Sequence, residues 1–476
     1  MALRIAVLFT LILWASLGLN CSGTPSTTDE GLGTEVTSSQ EPAAESQDGG
    51  SSSEGTGTVT NPTYHGHIKA LMEKHCNSCH KTGGMGPFPL DSLERLSTMK
   101  SAVLSAVVDK RMPPWQADNS CNDYSNDFSM PQHEIDLLSR WVKNGAPAGE
   151  PSEYKPPKNP HQLALPRVDL RVKMKEPYTP PSKRVDDYRC FLIDWPLKET
   201  QFVTGFRVQP GNAETVHHLI VYMADAKDAA AYLAEDAKSP GVGYNCYGGP
   251  GGGGYPGLLG AWAPGTPATV YPKGTGLRVE PGAKLVLQVH YNVTKKPVLP
   301  DQSVIELMLE KKVKQQAMIA PFVNPVWMMN KKTMKLPKGQ SNILFEFGAD
   351  LTTLTGGGTV TVYGAAMHMH MLGKTGNMKV QRKDGKEECL LQIPRWDFDW
   401  QSTFLLRKPI VLNEGDKIHM QCNFDNSAKG QPTVDGKKLK PTDVFWGGGS
   451  TDEMCMSFLY ITCNDADGKA NNCFDF

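Results

Sequence analysis

The sequence predicts a multidomain protein: a small all-α domain followed by two all-β sandwich domains. Three observations predict it. The chain has 476 residues, enough for about three domains at ~150 residues each. Its 46 glycines and 35 prolines favour turns and short strands over long helices. The period of the apolar pattern also changes near Leu165, from helical before it to alternating after it.

Each element has its own justification. "HEIDLLSRWVKNG" puts Ile135, Leu138, Trp141 and Val142 on one helix face and stops at Gly145. "PSEYKPPKNP" is a stiff, Pro-rich linker. Beyond it, "LRVEPGAKLVLQVHYNV" and "GTVTVYGAAMHMHML" alternate as half-buried strands do, broken by Gly, Pro, Asn and Asp. About 310 residues of this pattern exceed one small sandwich, which sets a boundary near residue 312. The expected division is residues 1–21 as a signal, 22–61 as a tether, 62–150 as the helical domain and 151–165 as the linker. Residues 166–312 and 313–476 then form the two sandwiches.

Arg4 precedes the apolar run "IAVLFTLILWASLGL", then Cys21 follows. That is a secretion signal, too short and wrongly flanked for a spanning helix. Cys21 resembles a bacterial lipoprotein acceptor, although Gly18 and Asn20 replace the usual Leu and small residue. The expectation is export to the periplasm or cell surface, touching the membrane only through a lipid on Cys21. The Ser-, Thr-, Gly- and Glu-rich stretch behind it cannot bury enough surface to fold. A net charge of −1 gives no electrostatic footprint for nucleic acid. The glycine-rich "GGPGGGGYPG" (248–257) lacks the Lys-Ser/Thr and helix of a phosphate loop and reads as an ordinary loop. Of 11 cysteines, setting aside Cys21 and the pair Cys76/Cys79 leaves eight. In an oxidising compartment an even number reads as disulfides, with the connectivity open.

"CNSCH" (76–80) is the C-x-x-C-H attachment signature of a covalently bound haem c. Cys76 and Cys79 would carry the two thioether bonds and His80 one axial bond. A redox dithiol would need a thioredoxin-like βαβ context, which is absent, and a zinc site would need a second Cys or His pair nearby. Met112 in "KRMPPW" is the candidate sixth ligand, since two prolines stiffen the loop behind it; Met130 in "FSMPQ" is the alternative. Met/His ligation raises the reduction potential, as an electron carrier needs. His65, His67 and His75 read as surface or loop residues. The block from residue 75 to about 149 resembles the monohaem cytochrome c modules fused to exported bacterial proteins.

"GAAMHMHMLGK" sets Met367, His368, Met369, His370 and Met371 in a row. On a strand, His368 and His370 share one face and the three methionines share the other. The histidines have chelate spacing, and the methionines suit an irregular core. The Glu that a cupin needs after such a pair is absent. Further donors lie in "TVHHLIVYM" (His217, His218), "LQVHYNV" (His290) and "TDEMCMSF" (Met454), whereas His133, His161 and His419 read as structural.

Adjacent His-His, then "QVHY", then H-x-H, then "DEMC", in this order over about residues 185–465, resemble the copper type II, ascorbate-dependent monooxygenases. That family includes peptidylglycine α-hydroxylating monooxygenase and dopamine β-monooxygenase. The resemblance implies two jelly-roll-like sandwiches and two copper ions. His217, His218 and His290 would hold one copper; His368, His370 and Met454 would hold the other and form the catalytic centre. His217 and His218 can both ligate only if the chain bends there or the metal sits beside the strand. The resemblance also pairs Cys455 with Cys422, and Cys190 with Cys246.

The implied reaction is hydroxylation of a C–H bond of a small substrate by O2. Two electrons would come from an external donor, an ascorbate-like reductant or redox protein, relayed by the haem domain from its linker. Peptide-amidating relatives grip a carboxylate with Arg, Asn and Tyr. Ala366, Met456 and Phe458 stand at those positions here, so the expected substrate is neutral or apolar. Trp396, Trp400 and Gln401 in "PRWDFDWQ" are candidate pocket residues. The rival reading is a non-catalytic copper- and haem-carrying electron-transfer or copper-handling protein.

Overall fold

The computed structural model describes residues 59–476 except 83–85, 158–163, 183–185, 253–255, 264–265, 294–296, 435, 472 and 474–476. The signal, Cys21, most of the tether and His161 lie outside the described residues.

Helices before residue 150 follow local signals. Thr63 caps a turn at Tyr64–Ile68 that continues as helix Lys69–His75. Ser92 opens helix Leu93–Val108 by accepting from the Arg95 N–H. Helix Gln132–Lys143 ends just before Gly145, whose φ of 84° is the left-handed conformation that stops a helix. Their apolar faces bury Ile68, Met72, Leu96, Leu138 and Trp141 together.

His75 is not a surface residue. Its side chain is 4% exposed, and Nε2 sits 2.6 Å from Glu134, which also takes Lys74 at 2.6 Å. Burial alone raises the Glu134 carboxyl, but its contacts with His75 and Lys74 outweigh that and bring it down to about 2. A carboxyl held lower in the fold than unfolded adds stability above its unfolded value and loses it as pH falls toward 2. Glu134→Gln is therefore expected to weaken this helix packing by about 1–3 kcal/mol at neutral pH. The deficit should shrink in acid-side denaturation curves.

Beyond Leu165 the chain is almost wholly β, as the alternation predicts. One ten-stranded mixed sheet runs through both sandwiches. Its order is Leu170–Lys173, Val304–Glu310, Gln201–Gln209, Thr275–Val279, Gln315–Val323, Met456–Asn464, Val360–His368 and Phe404–Leu412, with two short strands pairing off this path. Residue 312 falls in the turn before Gln315–Val323, and the sheet crosses it without a break, through the parallel pairing of Gln315–Val323 with Thr275–Val279. A five-stranded sheet (Tyr244–Asn245, Asp186–Asp194, Lys284–Asn292, Val216–Ala224, Gly257–Trp262) covers the first half. Phe191, Phe206, Leu287 and Tyr291 fill the space between. A four-stranded sheet (Ile343–Ala349, Lys417–Phe424, Gly373–Gln381, Glu387–Ile393) covers the second half over Val362, Met378, Met420 and Phe424.

All eight cysteines counted above are paired. Cys190–Cys246 and Cys422–Cys455 form as the resemblance implied; Cys463–Cys473 and Cys121–Cys389 join them. The last bond spans 268 residues and fastens a loop of the helical region to the second sandwich. Asn122 donates to the Cys389 carbonyl at 2.9 Å beside it. Tyr124 and Ala117 enter the second sandwich's core, and Trp115 packs edge-on against Phe404 with 5.0 Å between centroids. The linker is thus not the sole attachment of the helical region; a covalent bond and a packed interface hold it.

Candidate metal centres

The first histidine cluster forms on the five-stranded sheet, where strand Val216–Ala224 lies beside Lys284–Asn292. Val216 pairs with Tyr291 and His218 pairs with His290, so the register shifts at His217. This bulge is the bend that two adjacent ligating histidines require, because it turns His217 out of strict alternation. The Nδ1 atoms of His217 and His218 lie 3.2 Å apart, and those of His218 and His290 lie 3.4 Å apart. The ligand atoms of all three rings fall within 4.8 Å of one another. Two imidazole nitrogens bound to one ion at about 2.0 Å in tetrahedral geometry stand about 3.3 Å apart. The observed spacing fits a single ion.

The surroundings fix these rings. His290 Nε2 is 2.8 Å from the Asp186 carboxylate, and Tyr188 stacks on the ring at 4.1 Å with planes 5° apart. With Nε2–H donating to Asp186, Nδ1 keeps its lone pair for a metal. Burial first, and then the neighbouring imidazoles, hold His218 well below the usual histidine range. Burial likewise lowers His290 against the opposing hydrogen bond to Asp186. Neutral imidazole is the ligating form.

The second cluster closes the strand Val360–His368. The Nε2 atoms of His368 and His370 are 3.2 Å apart. Each ring has its other nitrogen engaged: His368 Nδ1 lies 2.6 Å from Gln401 Oε1, and His370 Nδ1 lies 3.0 Å from the Asp452 carbonyl. Burial, aided by His368, lowers His370 to about 3. Met367 and Met369 point the other way, 2% and 0% exposed in the sandwich core, and Met371 is half-buried.

The backbone brings Met454 to this pair. Strand Met456–Asn464 pairs with Val360–His368 so that Met456 stands opposite His368. One residue before Met454, the fully buried Glu453 carboxylate accepts the N–H groups of His370 (2.8 Å), Leu372 (2.6 Å) and Met454 (3.3 Å). Burial pushes Glu453 up to about 8 against these three donors. Cys455 is bonded to Cys422, so it offers no thiolate. Met454 therefore sits between a residue hydrogen-bonded at His370 and one paired with His368.

The segment Trp396–Gln401 touches both clusters. The Trp396 indole N–H donates to the His370 carbonyl at 3.0 Å. The Phe398 ring lies 5.8 Å from His217 and 5.9 Å from His370, centroid to centroid. Asp399 Oδ1 is 3.7 Å from His217 Nε2. Of the candidate pocket residues, Trp396 and Gln401 thus orient the second pair from behind, and Trp400 lines a different cavity. Phe398, Asp399, Asp186, Tyr188 and Glu453 have no motif to mark them; only the adjacency of Glu453 to Met454 was readable.

The C-x-x-C-H residues lie on the helical region. Cys76 and Cys79 are the free thiols among the described residues. Burial pushes the Cys76 thiol up to about 12, which disfavours the free thiolate that a redox dithiol requires. His80 Nδ1 is 3.0 Å from the Phe88 carbonyl, leaving Nε2 available. A side chain at Gly86 would collide with this ring at 2.8 Å, so glycine is needed there. Met112 and Met130 line a cavity of about 610 Å³ together with Trp115, Arg395, Asp397 and Trp400. Met112 is half-buried, whereas Met130 belongs to the helical core. His133 is exposed, and His65, His67 and His419 are half-buried; none joins a cluster of metal-ligating groups among the described residues.

Comparison with known proteins agrees with this geometry. Residues 170–297 match the copper type II ascorbate-dependent monooxygenase N-terminal domain, and residues 328–475 match the C-terminal domain. A tyramine beta-hydroxylase from Caenorhabditis briggsae is 23% identical over 305 residues, covering 57% of this chain and 45% of that protein. The chain thus spans about half the length of the curated relative it matches. A tandem CBM22 domain of Paenibacillus barcinonensis Xyn10C aligns at 11% identity over 56% of this chain and 70% of that one, with a TM-score of 0.09, and carries no structural argument. The two domain matches cover more than half of the chain, in order and around both histidine clusters, and the chain belongs to the copper type II, ascorbate-dependent monooxygenase family.

Proposed function

We propose that this chain is a copper-dependent monooxygenase that hydroxylates a C–H bond of a small, neutral or apolar molecule with O2. The observation that carries the reading is the pair of imidazole clusters, one of three rings and one of two, with Met454 placed in sequence two residues before the Met456 that pairs with His368. A thioether is soft and favours Cu(I), whereas zinc seldom takes one. Bound there, two copper ions supply one-electron cycling and O2 activation. The chain's own residues keep the imidazoles neutral, fix their ring orientation through Asp186, Gln401 and Asp452, and hold the Met454 turn with Glu453 and Cys422–Cys455.

The substrate class follows from the surface beside His368. Ala366, Phe458 and Pro321 lie opposite one another across three strands, and His368, Met456 and Val323 form the next row. Directly opposed residues share a face, and all six are half-buried. The strip offers apolar contact and no charge to grip a carboxylate. A peptide ending in glycine is therefore expected to drive no coupled O2 uptake, whereas apolar small molecules should, as read by an oxygen electrode with ascorbate as reductant. Copper-loaded protein that consumes no O2 with any such substrate would leave the non-catalytic copper-handling reading.

The helical domain is read as a cytochrome c-type module that carries haem and relays electrons from the external donor. The residues fit that group: two reduced thiols three residues apart in a chain whose other described cysteines are all oxidised, and a histidine with one nitrogen free. Met112 lines a cavity between the helical region and Pro394, Arg395, Asp397 and Trp400 of the second sandwich, and Cys76, Cys79 and His80 are not among its lining residues. Four disulfides support export to an oxidising compartment, where Cys21 would serve as the lipid anchor.

A further inference from the structure

The connection between strands Gln315–Val323 and Ile343–Ala349 turns apolar side chains out into solvent. It opens with the short helix Pro325–Met329, where the Asn324 side chain accepts the Val326 N–H at 3.0 Å. Trp327 is 5% exposed and packs against Phe345, Phe347 and Trp446 in the core of the second sandwich. With Trp327 locked inward, its neighbours face outward: Val326 is 47% exposed, Met328 57% and Met329 64%. The other exposed large apolar side chains among the described residues are scattered, no two of them within ten positions of each other. Single exposed apolar residues are ordinary, whereas three in four consecutive positions make a patch.

The patch has a basic border. The turn Lys331–Thr333 folds back on the helix, because Thr333 Oγ1 donates to the carbonyls of Val326 (3.2 Å) and Asn330 (2.7 Å). Asn330 Oδ1 also accepts the Lys332 N–H at 3.2 Å. Exposed Lys331 and Lys332 therefore stand beside the helix Pro325–Met329. Neither has an ion-pair partner among the described residues, whereas Lys335 is matched by Asp443 at 2.6 Å. These hydrogen bonds and the Trp327 anchor hold the tip in one shape, so its exposure is a property of the fold and not of a frayed end.

We propose that Val326–Lys332 is a docking surface for an anionic lipid bilayer. Methionine side chains are flexible and enter the boundary between headgroups and acyl chains without needing a matched pocket. Lys331 and Lys332 meet the lipid phosphates, each contributing about a factor of five in binding at low salt. The unmatched charge decides for lipid over a second copy of this chain. A two-fold contact would set the patch against itself and bring the four lysines together. This contact depends neither on copper nor on a lipid at Cys21.

The test reads the tip itself, so that contact made elsewhere on the chain does not count. Copper-free, full-length protein is treated with dilute hydrogen peroxide, and conversion of Met328 and Met329 to the sulfoxide is followed by peptide mass spectrometry. Phosphatidylglycerol vesicles at low salt should slow oxidation of both about fivefold or more, and phosphatidylcholine vesicles should leave it unchanged. Lys331→Gln/Lys332→Gln removes both charges and keeps both thioethers; with an unchanged melting temperature it should lose most of the protection, as the unsubstituted protein should at high salt. Equal oxidation with and without anionic vesicles overturns the proposal. So does protection that phosphatidylcholine gives equally or that survives Lys331→Gln/Lys332→Gln. Protection that grows with protein concentration in the absence of vesicles overturns it in favour of a second copy of the chain.

Discussion

Replacing His370 with Ala is expected to reduce bound copper from two ions to one per chain and to lower turnover about a thousandfold or more. The estimate comes from the several kcal/mol that a catalytic metal supplies, at a factor of ten per 1.36 kcal/mol. His370 is the imidazole on which its surroundings converge: Glu453 holds its backbone N–H, Asp452 its Nδ1 and Trp396 its carbonyl. A small side chain there cannot move a substitute donor toward His368 Nε2. The three-imidazole centre should keep its ion, so copper analysis and EPR of the variant should show one Cu(II) signal of unchanged parameters. Gln401→Ala should act more mildly. It frees the His368 ring without removing a donor, and a weakening of metal affinity by about 10–100-fold is expected, read by competition with a chelator.

Breaking the Cys121–Cys389 bond in the double Ser variant should cost the largest share of stability. A cross-link between residues 268 apart in sequence restricts the unfolded chain by about 5 kcal/mol in the chain-entropy view. What remains includes the packing of Trp115 and Tyr124 on Phe404, the hydrogen bonds of Asn122 and Asn126 to Cys389 and Thr403, those of Gln116 and Arg395, and the Arg407–Asp123 ion pair. The expected calorimetric result is a single cooperative transition in the oxidised protein and an earlier, separate transition of the helical domain in the variant. Coincident transitions in both would mean that the packed interface alone holds the domains together.

Much of this was readable in the sequence because the signals were local. Period two along residues 360–368 put Met367 in the core and His368 on the opposite face, since alternation is a property of the strand itself; beyond the strand end Met369 is also buried and His370 joins His368, while Met371 stays half-buried. The C-x-x-C-H spacing and the helix through Trp141 were equally local. The paired histidines showed a tension that either a bend in the chain or a metal beside the strand would relieve, and the structure shows the bend as a register shift at His217. What remained hidden was set by tertiary contact. Asp186, Tyr188, Phe398 and Asp399 reach the histidines from other strands or loops, with no spacing to mark them. Cys121 could not be matched with Cys389 because a pairing across 268 residues depends on how two domains dock. The same docking removed the freedom that a Pro-rich linker suggested, and packing within the helical region set His75 against Glu134's helix rather than leaving it at the surface. The sheet's passage across residue 312 was likewise invisible, because each strand there looks the same whether its neighbour belongs to one sandwich or the other.

The most direct test of the account is copper stoichiometry combined with X-ray absorption of the reduced protein. Two coppers per chain are predicted, with nitrogen scatterers at both and one sulfur scatterer that disappears in Met454→Ala while the second copper's nitrogen shell remains. Fewer than two coppers in the unsubstituted protein, or a sulfur signal that persists without Met454, would contradict it.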